Sequence, residues 1–373
     1  MQLPDFDADR FLRDHWQKQP LLIRNPWRAW RNPIEPDELA GLACEEGIES
    51  RLVIQSGDSW ALEHGPFAED RFATLGASSW TLLVQAVDHH APDVAALLAP
   101  FRFIPDWRID DVMVSYATDG GGVGPHFDQY DVFLIQGLGQ RRWRVGPRCA
   151  SDTPLRPHAD LRLLPDFQAT GEWVLDPGDI LYVPPGFAHD GVAVGDDCMT
   201  YSVGFRAPAR PDLLVEWADH CAAQMPDDAL YADPDLRPAA HPGEIAPAAI
   251  DRLHAMTIDA LQDRDAFAAW FGQHVTTPKY PDADWRPDAP FTAADIGALL
   301  AEGATLLRNP ASRIAFLRRG EDDLLLFADG AAFPERLSAQ DQLVLAPAMA
   351  PGADLLAALL NQGSLLVEEP DED

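Results

Sequence analysis

The sequence predicts an α+β chain in three parts: a β-rich stretch of the jelly-roll kind, a helical stretch, and a mixed tail ordered like a small winged-helix module. Two observations predict it. Short apolar runs bounded by Gly, Pro, Asn and Asp recur through roughly the first 205 residues, which suits a sandwich or barrel of short strands. After Arg206-Ala207-Pro208-Ala209-Arg210-Pro211 the apolar period changes to i, i+3 and i+4, the spacing of helices.

Taken in order, Asp7 to Trp16 reads as a capped helix, and Pro20 to Arg24 as a short strand. Strands are expected around Val53 and at Thr81–Val84, Val112–Tyr116, Tyr130–Gln136, Arg141–Val145, Trp173–Leu175, Ile180–Val183 and Met199–Phe205. Helices follow at Asp212–Gln224, Ile245–Gln262 and Asp265–His274, and a second Pro-rich stretch runs from Thr277 to Pro290. The tail offers a helix at Ala293–Glu302, a hairpin of Arg313–Leu317 with Leu324–Phe327, helices at Ser338–Ala346 and Asp354–Leu360, and a last strand at Leu365–Val367. The domain expectation is therefore 1–207, 208–276 and 285–373, with an acidic, solvated end from Glu368 to Asp373.

Composition narrows the function. With 373 residues the chain can bury a core without disulfides, and its four cysteines form no C-x-x-C pair. A reducing cytoplasm is the expected setting. The formal net charge of −32, from 28 basic and 60 acidic residues, argues against gripping nucleic-acid phosphates and favours a basic protein partner. The winged-helix-like tail is itself acidic, so a DNA reader is not expected there. No apolar stretch approaches the length of a membrane span, and the first residues lack the pattern of a signal peptide.

The chemistry concentrates in Gly120-Gly121-Gly122-Val123-Gly124-Pro125-His126-Phe127-Asp128. On a strand, His126 and Asp128 share a face and can offer an imidazole and a carboxylate to one metal ion. The same spacing recurs by chance at His158-Ala159-Asp160, but that histidine lies in a Pro-bounded segment without strand pattern. Downstream, Glu172 to Val183 reads as strand, Pro-Gly-Asp turn and strand, delivering His189 at its end. His126, Asp128 and His189 make the two-histidine, one-carboxylate set that suits non-haem Fe(II). Gly137-Leu138-Gly139 is expected to turn the chain back, so that Arg141 and Trp143 face inward and Arg142 and Arg144 outward. An inward arginine needs an anion, and a dicarboxylate cosubstrate chelating the metal would present one. By parity Tyr130 points inward beside Asp128, and Ser202 could bond a ligand; each would equally serve as barrel filling. His89-His90 reads as a pair of surface histidines.

Several motifs in register carry a resemblance. Phe101 to Asp111, the glycine run through Phe133, Gly139-Gln140-Arg141-Arg142-Trp143-Arg144-Val145-Gly146, Pro177-Gly178-Asp179 through His189, and the opening His15 to Arg24 resemble the JmjC-type ribosomal-protein oxygenases of bacteria. The resemblance spans the chain and implies a double-stranded β-helix (JmjC/cupin jelly-roll) barrel, a helical dimerisation region and a C-terminal winged-helix-like domain. It implies Fe(II) at His126, Asp128 and His189, 2-oxoglutarate paired with Arg141, O₂ as oxidant, and succinate and CO₂ as co-products. The implied reaction is 3-hydroxylation of an arginine of large-subunit ribosomal protein sixteen by a homodimer. Its apolar helical face of Leu213, Leu214, Trp217, Ile250, Leu253, Leu261, Phe267, Trp270 and Phe271 fits a symmetric interface. Other readings are the same chemistry on another residue or protein, a cupin metalloenzyme that does not use 2-oxoglutarate, or a non-catalytic binding protein. Arg141 opposes the second and the intact ligand set the third.

Overall fold

Residues 3–4, 6–158, 160–320, 323–335 and 352–368 are described by a computed structural model of the chain. Its contacts separate two units. One runs to Ala207 and takes in Lys279–Trp285 and Arg308–Ala311, and the other comprises Pro208–Pro278, Arg286–Leu307 and the residues from Ser312 onward.

The first unit opens with helix α1 (Ala8–Asp14), which Asp7 caps by accepting the Arg10 N–H at 2.9 Å. Its strands are β1 (Leu21–Ile23), β2 (Ser50–Ser56), β3 (Ser59–His64), β4 (Trp80–Val84), β5 (Ile109–Ala117), β6 (Asp131–Arg148), β7 (Gly171–Leu175), β8 (Ile180–Val183) and β9 (Phe187–Phe205). Short helices α2 (Pro36–Leu42), α3 (Glu69–Ala73) and α4 (Pro92–Ala95) interrupt them. The spatial order is β1-β8-β6-β9-β5-β4-β2-β3, with β7 added beside β6.

Long strands β6 and β9 tie the barrel together. They pair from Asp131↔Phe205 to Gln136↔Thr200, slip twice around Leu138, and resume from Gln140↔Val194 to Val145↔His189. The expected turn at Gly137-Leu138-Gly139 is therefore absent. Those residues form bulges within one bent strand, with Gly139 at φ +56° supplying the left-handed conformation. The first half of β6 pairs with β8 and the second half with β7, so one long strand holds both short ones within a single nine-stranded sheet.

Alternation along these strands sorts the core. Val132, Leu134, Trp143, Val145, Leu175, Leu181 and Val183 pack together on the barrel interior. Phe133, Ile135, Ile180, Tyr182, Tyr201 and Val203 face the other way, against Phe11 of α1, Leu39 of α2, and Leu97 and Phe101. Burial on both faces explains why Val132–Ile135 and Ile180–Val183 read as unbroken apolar runs.

The second unit contains α5 (Arg210–Ala223), α6 (Pro247–Leu261), α7 (Arg264–Thr276), α8 (Ala293–Ala301) and α9 (Ala353–Asn361). Its strands are β10 (Thr305–Arg308), β11 (Ile314–Arg318), β12 (Leu324–Ala328), β13 (Ala331–Glu335) and β14 (Leu365–Glu368). The anticipated hairpin forms from Ile314↔Ala328 to Arg318↔Leu324, and β13 extends it. Ile296, Leu306, Leu326, Leu355, Leu359 and Leu365 make the core of this winged-helix arrangement. Thr292 and Asp295 cap α8 reciprocally. Trp217 of α5 and Trp270 of α7 are buried against each other, whereas α6 buries no residue. The helix expected at Ser338–Ala346 and the chain end from Glu369 lie outside the described residues. Among the described residues no helix is long and apolar enough to cross a membrane.

Candidate metal centre

The glycine run works by close approach. Gly120 donates to Ala193 O at 3.1 Å and Ala193 donates back to Gly121 O at 2.9 Å, which lays the loop along β9. A Cβ on Gly122 would stand 2.5 Å from Gly191 O, so only glycine admits this contact. Two residues past Gly124, His126 and His189 exchange backbone hydrogen bonds of 3.0 and 2.8 Å as an isolated antiparallel bridge. Directly bridged residues project side chains to the same side, and the two imidazole centroids lie 4.3 Å apart.

Asp128 completes the group. Its Oδ2 is 3.6 Å from His126 Nε2 and 3.4 Å from His189 Nε2. The three ligand atoms all fall within 4.8 Å of one another. Bonds of about 2.1 Å at right angles would set neighbouring ligand atoms about 3 Å apart, so this donor set fits one divalent ion with little movement. The other ring nitrogens support it: His126 Nδ1 is 2.9 Å from Gly124 O and His189 Nδ1 is 3.0 Å from Phe187 O. With the proton on each Nδ1 to make those bonds, both Nε2 lone pairs turn to the shared point. Burial works against charge on Asp128, but the two imidazoles outweigh it and hold the carboxyl well below its usual range. Burial likewise opposes charge on His126, and Asp128 outweighs it, raising that imidazole.

Arg141 faces inward as expected, although a bulge and not a turn sets its parity. It is 3% exposed, and its Nε and Nη2 have no hydrogen-bond partner among the described residues. Nη1 makes one long bond, 3.5 Å to Gly191 O. The guanidinium lies 5.8 Å from the Trp143 ring, which in turn lies 5.9 Å from the His189 ring. A buried cation with two unmet donors is what an incoming carboxylate would satisfy.

Tyr130 is 45% exposed overall. Desolvation, followed by the charge of Asp128, pushes its phenol above the ordinary tyrosine range. Ser202 lies opposite Leu134 and Met113 on neighbouring strands and so shares the interior face. His158 does not join the centre: its Nε2 meets Trp60 O at 3.0 Å, and its Nδ1 accepts the Asp160 and Leu161 N–H groups. The reading of His89 as a surface residue is corrected, since its side chain is 7% exposed, 4.0 Å from Asp88. It ends a 3-10 turn that follows β4, and its ring lies 6.2 Å from that of Tyr280.

Sequence reasoning missed a polar row beside Tyr130. Arg51 donates to Gln85 at 3.2 Å, Gln85 to Asp111 at 2.7 Å, and Lys279 pairs with both Asp110 and Asp111 at 2.9 Å. The one visible signal was Arg51 set before the apolar run Leu52-Val53-Ile54.

With the geometry in hand, comparison with known proteins is specific. The JmjC domain family matches residues 96–213, the ROXA-like winged-helix family residues 259–366, and the AraC-like ligand-binding family residues 169–264. The chain is 43% identical over 320 residues to the ribosomal protein uL16 3-hydroxylase of Escherichia coli (strain K12), covering 86% of this chain and 83% of that one. It is 40% identical over 276 residues to a probable ribosomal oxygenase of Haemophilus influenzae, covering 72% and 67%. The crystal structure of E. coli YcfD superposes with a TM-score of 0.88 at 39% identity, covering 98% of this chain and 99% of that one. The same E. coli protein in complex with cobalt and 2-oxoglutarate gives 0.84 at 39% identity over the same shares.

Proposed function

Because the chain belongs to the JmjC-domain ribosomal-oxygenase family and is a 2-oxoglutarate-dependent oxygenase, we propose that it hydroxylates carbon 3 of an arginine side chain in ribosomal protein uL16. The observation that carries this reading is the convergence of His126, Asp128 and His189 on one point, together with a buried Arg141 that lacks an anion. Both site roles are part of the proposal.

His126 Nε2, His189 Nε2 and Asp128 would hold Fe(II), and Arg141 would receive the distal carboxylate of 2-oxoglutarate. Bound iron supplies, with O₂ and 2-oxoglutarate, the oxidising power that turns an unactivated C–H into C–OH, yielding succinate and CO₂. The chain's own contribution is placement. Backbone carbonyls of Gly124 and Phe187 fix the imidazole tautomers, and Trp143 walls the space between Arg141 and His189. Val145, paired with His189, and Val132 and Leu134 of the same buried cluster give that interior an apolar lining. The net charge of −32 suits attraction of a basic, arginine-bearing ribosomal protein.

The proposal extends to assembly and setting. The barrel of residues 1–207 carries the chemistry, the helices of 208–276 join two copies, and the winged-helix part of 285–373 does not read nucleic acid. Leu214, Ile250, Leu253 and Met256 stand exposed on α5 and α6, a face that a second copy would bury. A cytoplasmic location accords with a ribosomal substrate and four free cysteines.

Mass spectrometry of uL16 after incubation with the protein, Fe(II), 2-oxoglutarate and O₂ tests the reaction. One added oxygen on a single arginine, absent with His126→Ala, is expected. Unmodified uL16 alongside succinate formation would remove the substrate, and an unchanged yield with His126→Ala would remove the metal assignment.

A further inference from the structure

On the outer side of the barrel, opposite in strand parity to Arg141, a cavity of about 370 Å³ is lined by Arg142, Arg144, Arg156, Trp60, Phe167 and Asp190, among others. None of His126, Asp128, His189 or Arg141 lines it. Three guanidinium groups at one cavity are out of keeping with a chain whose net charge is −32.

The charges there do not cancel. Arg144 is matched by Asp190, which takes both its Nε, at 3.2 Å, and its Nη2. Arg156 lies 5.3 Å from the Trp60 ring and donates to backbone carbonyls of Leu164, Asp58 and Pro165, with no carboxylate partner among the described residues. Arg142 has neither an ion pair nor a hydrogen bond among them, and its Nε is buried without a partner. Trp60 Nε1 is buried and unmet in the same way. Two guanidiniums without a carboxylate partner and two unmet N–H donors belong to residues that line one cavity, an arrangement that a ligand supplying acceptors would relieve.

We propose that this cavity is a second anion site, taking a small dianion such as a phosphate group or a dicarboxylate. Two charges match the two guanidiniums that have no carboxylate partner, and the planar fork of Arg142 suits paired oxygens. Since Arg144 and Arg156 already lie over the Phe167 and Trp60 rings, a compact anion fits better than a stacked base. The site borders the metal centre through covalent neighbours: the wall includes Gly124 and Pro125, which lead into His126, and Asp190, which follows His189.

Calorimetric titration of the full, metal-free chain at constant ionic strength, with inorganic phosphate and with malonate against a chloride reference, tests this. Saturable binding of at least one probe is expected; phosphate alone or malonate alone would name the ligand's chemistry. Arg142→Gln should weaken it at least tenfold, Trp60→Phe severalfold, and Arg142→Lys should recover part of the loss. Arg141→Met reports on the interior site and should leave it unchanged. Binding no stronger than chloride, equal binding by Arg142→Gln, or loss only in Arg141→Met would overturn the proposal.

Discussion

Replacing Arg141 is expected to move two quantities in opposite directions. The side chain is 3% exposed, its Nε and Nη2 are unmet, and its remaining bond is the long one to Gly191 O. Without cosubstrate the guanidinium is a buried, poorly compensated charge, so Arg141→Met should stabilise the free protein, by on the order of 1–3 kcal/mol from the removed unmet donors. With cosubstrate the fork would hold a carboxylate through two charge-assisted bonds. Truncating one partner of such a buried pair costs about 2–5 kcal/mol, which is about 30- to 5000-fold in affinity. Urea unfolding of the free protein and calorimetric titration with 2-oxoglutarate in the presence of Mn(II) measure the two effects. Arg141→Lys, which keeps the charge and loses the fork, should fall between. If Arg141→Met leaves affinity within threefold, or destabilises the free protein as an ordinary core truncation does, the assignment of Arg141 to a carboxylate is wrong.

Other consequences concern the surrounding structure. Metal at a hundredfold excess over its Kd should stabilise the chain by about 2.7 kcal/mol, and EDTA or His189→Ala should abolish that gain in thermal unfolding together with succinate formation. A Cβ at Gly191 would lie 2.6 Å from the Trp143 ring, so Gly191→Ala should cost about 1–3 kcal/mol and weaken both metal and 2-oxoglutarate binding; full activity at unchanged Tm would contradict it. Asp88 accepts the Val112 N–H at 2.8 Å, and burial, followed by the charge of Asp111, pushes its carboxyl up to about 8. The folded chain therefore holds a proton that the unfolded one releases near pH 4, so this contribution is complete below about pH 4 and is lost as pH rises through 8. Asp88→Asn keeps an acceptor and removes the titration, and its stability relative to wild type should rise between pH 5 and pH 9 by at least about 1.4 kcal/mol, the worth of one pKa unit. A pH-independent difference in urea unfolding would refute that reading.

Local sequence determined a good deal about this protein. Apolar runs and turn residues marked most barrel strands, because burial of one face imposes alternation and burial of both an unbroken run, and either pattern survives in one dimension. The His-x-Asp spacing and the histidine after Ile180–Val183 picked out the three residues, although His126 and Asp128 lie between β5 and β6, where His126 makes an isolated bridge, and His189 stands near the start of β9. Tertiary structure decided what depends on pairing. The run Gly137-Leu138-Gly139 carries glycines that serve a turn or a bulge equally well, and only the continuous ladder of β6 against β9 selects the bulge. Arg141 and Arg142 are adjacent arginines in the chain, yet one reaches the interior and the other an outer cavity, since successive strand residues point to opposite faces. The row Arg51, Gln85, Asp111 and Lys279 draws on four segments, and no local pattern announces partners as far apart in the chain as Asp111 and Lys279. A metal triad is legible when two of its ligands stand two residues apart in the chain; a charge network assembled from distant segments is settled only by the fold that closes the loops between them.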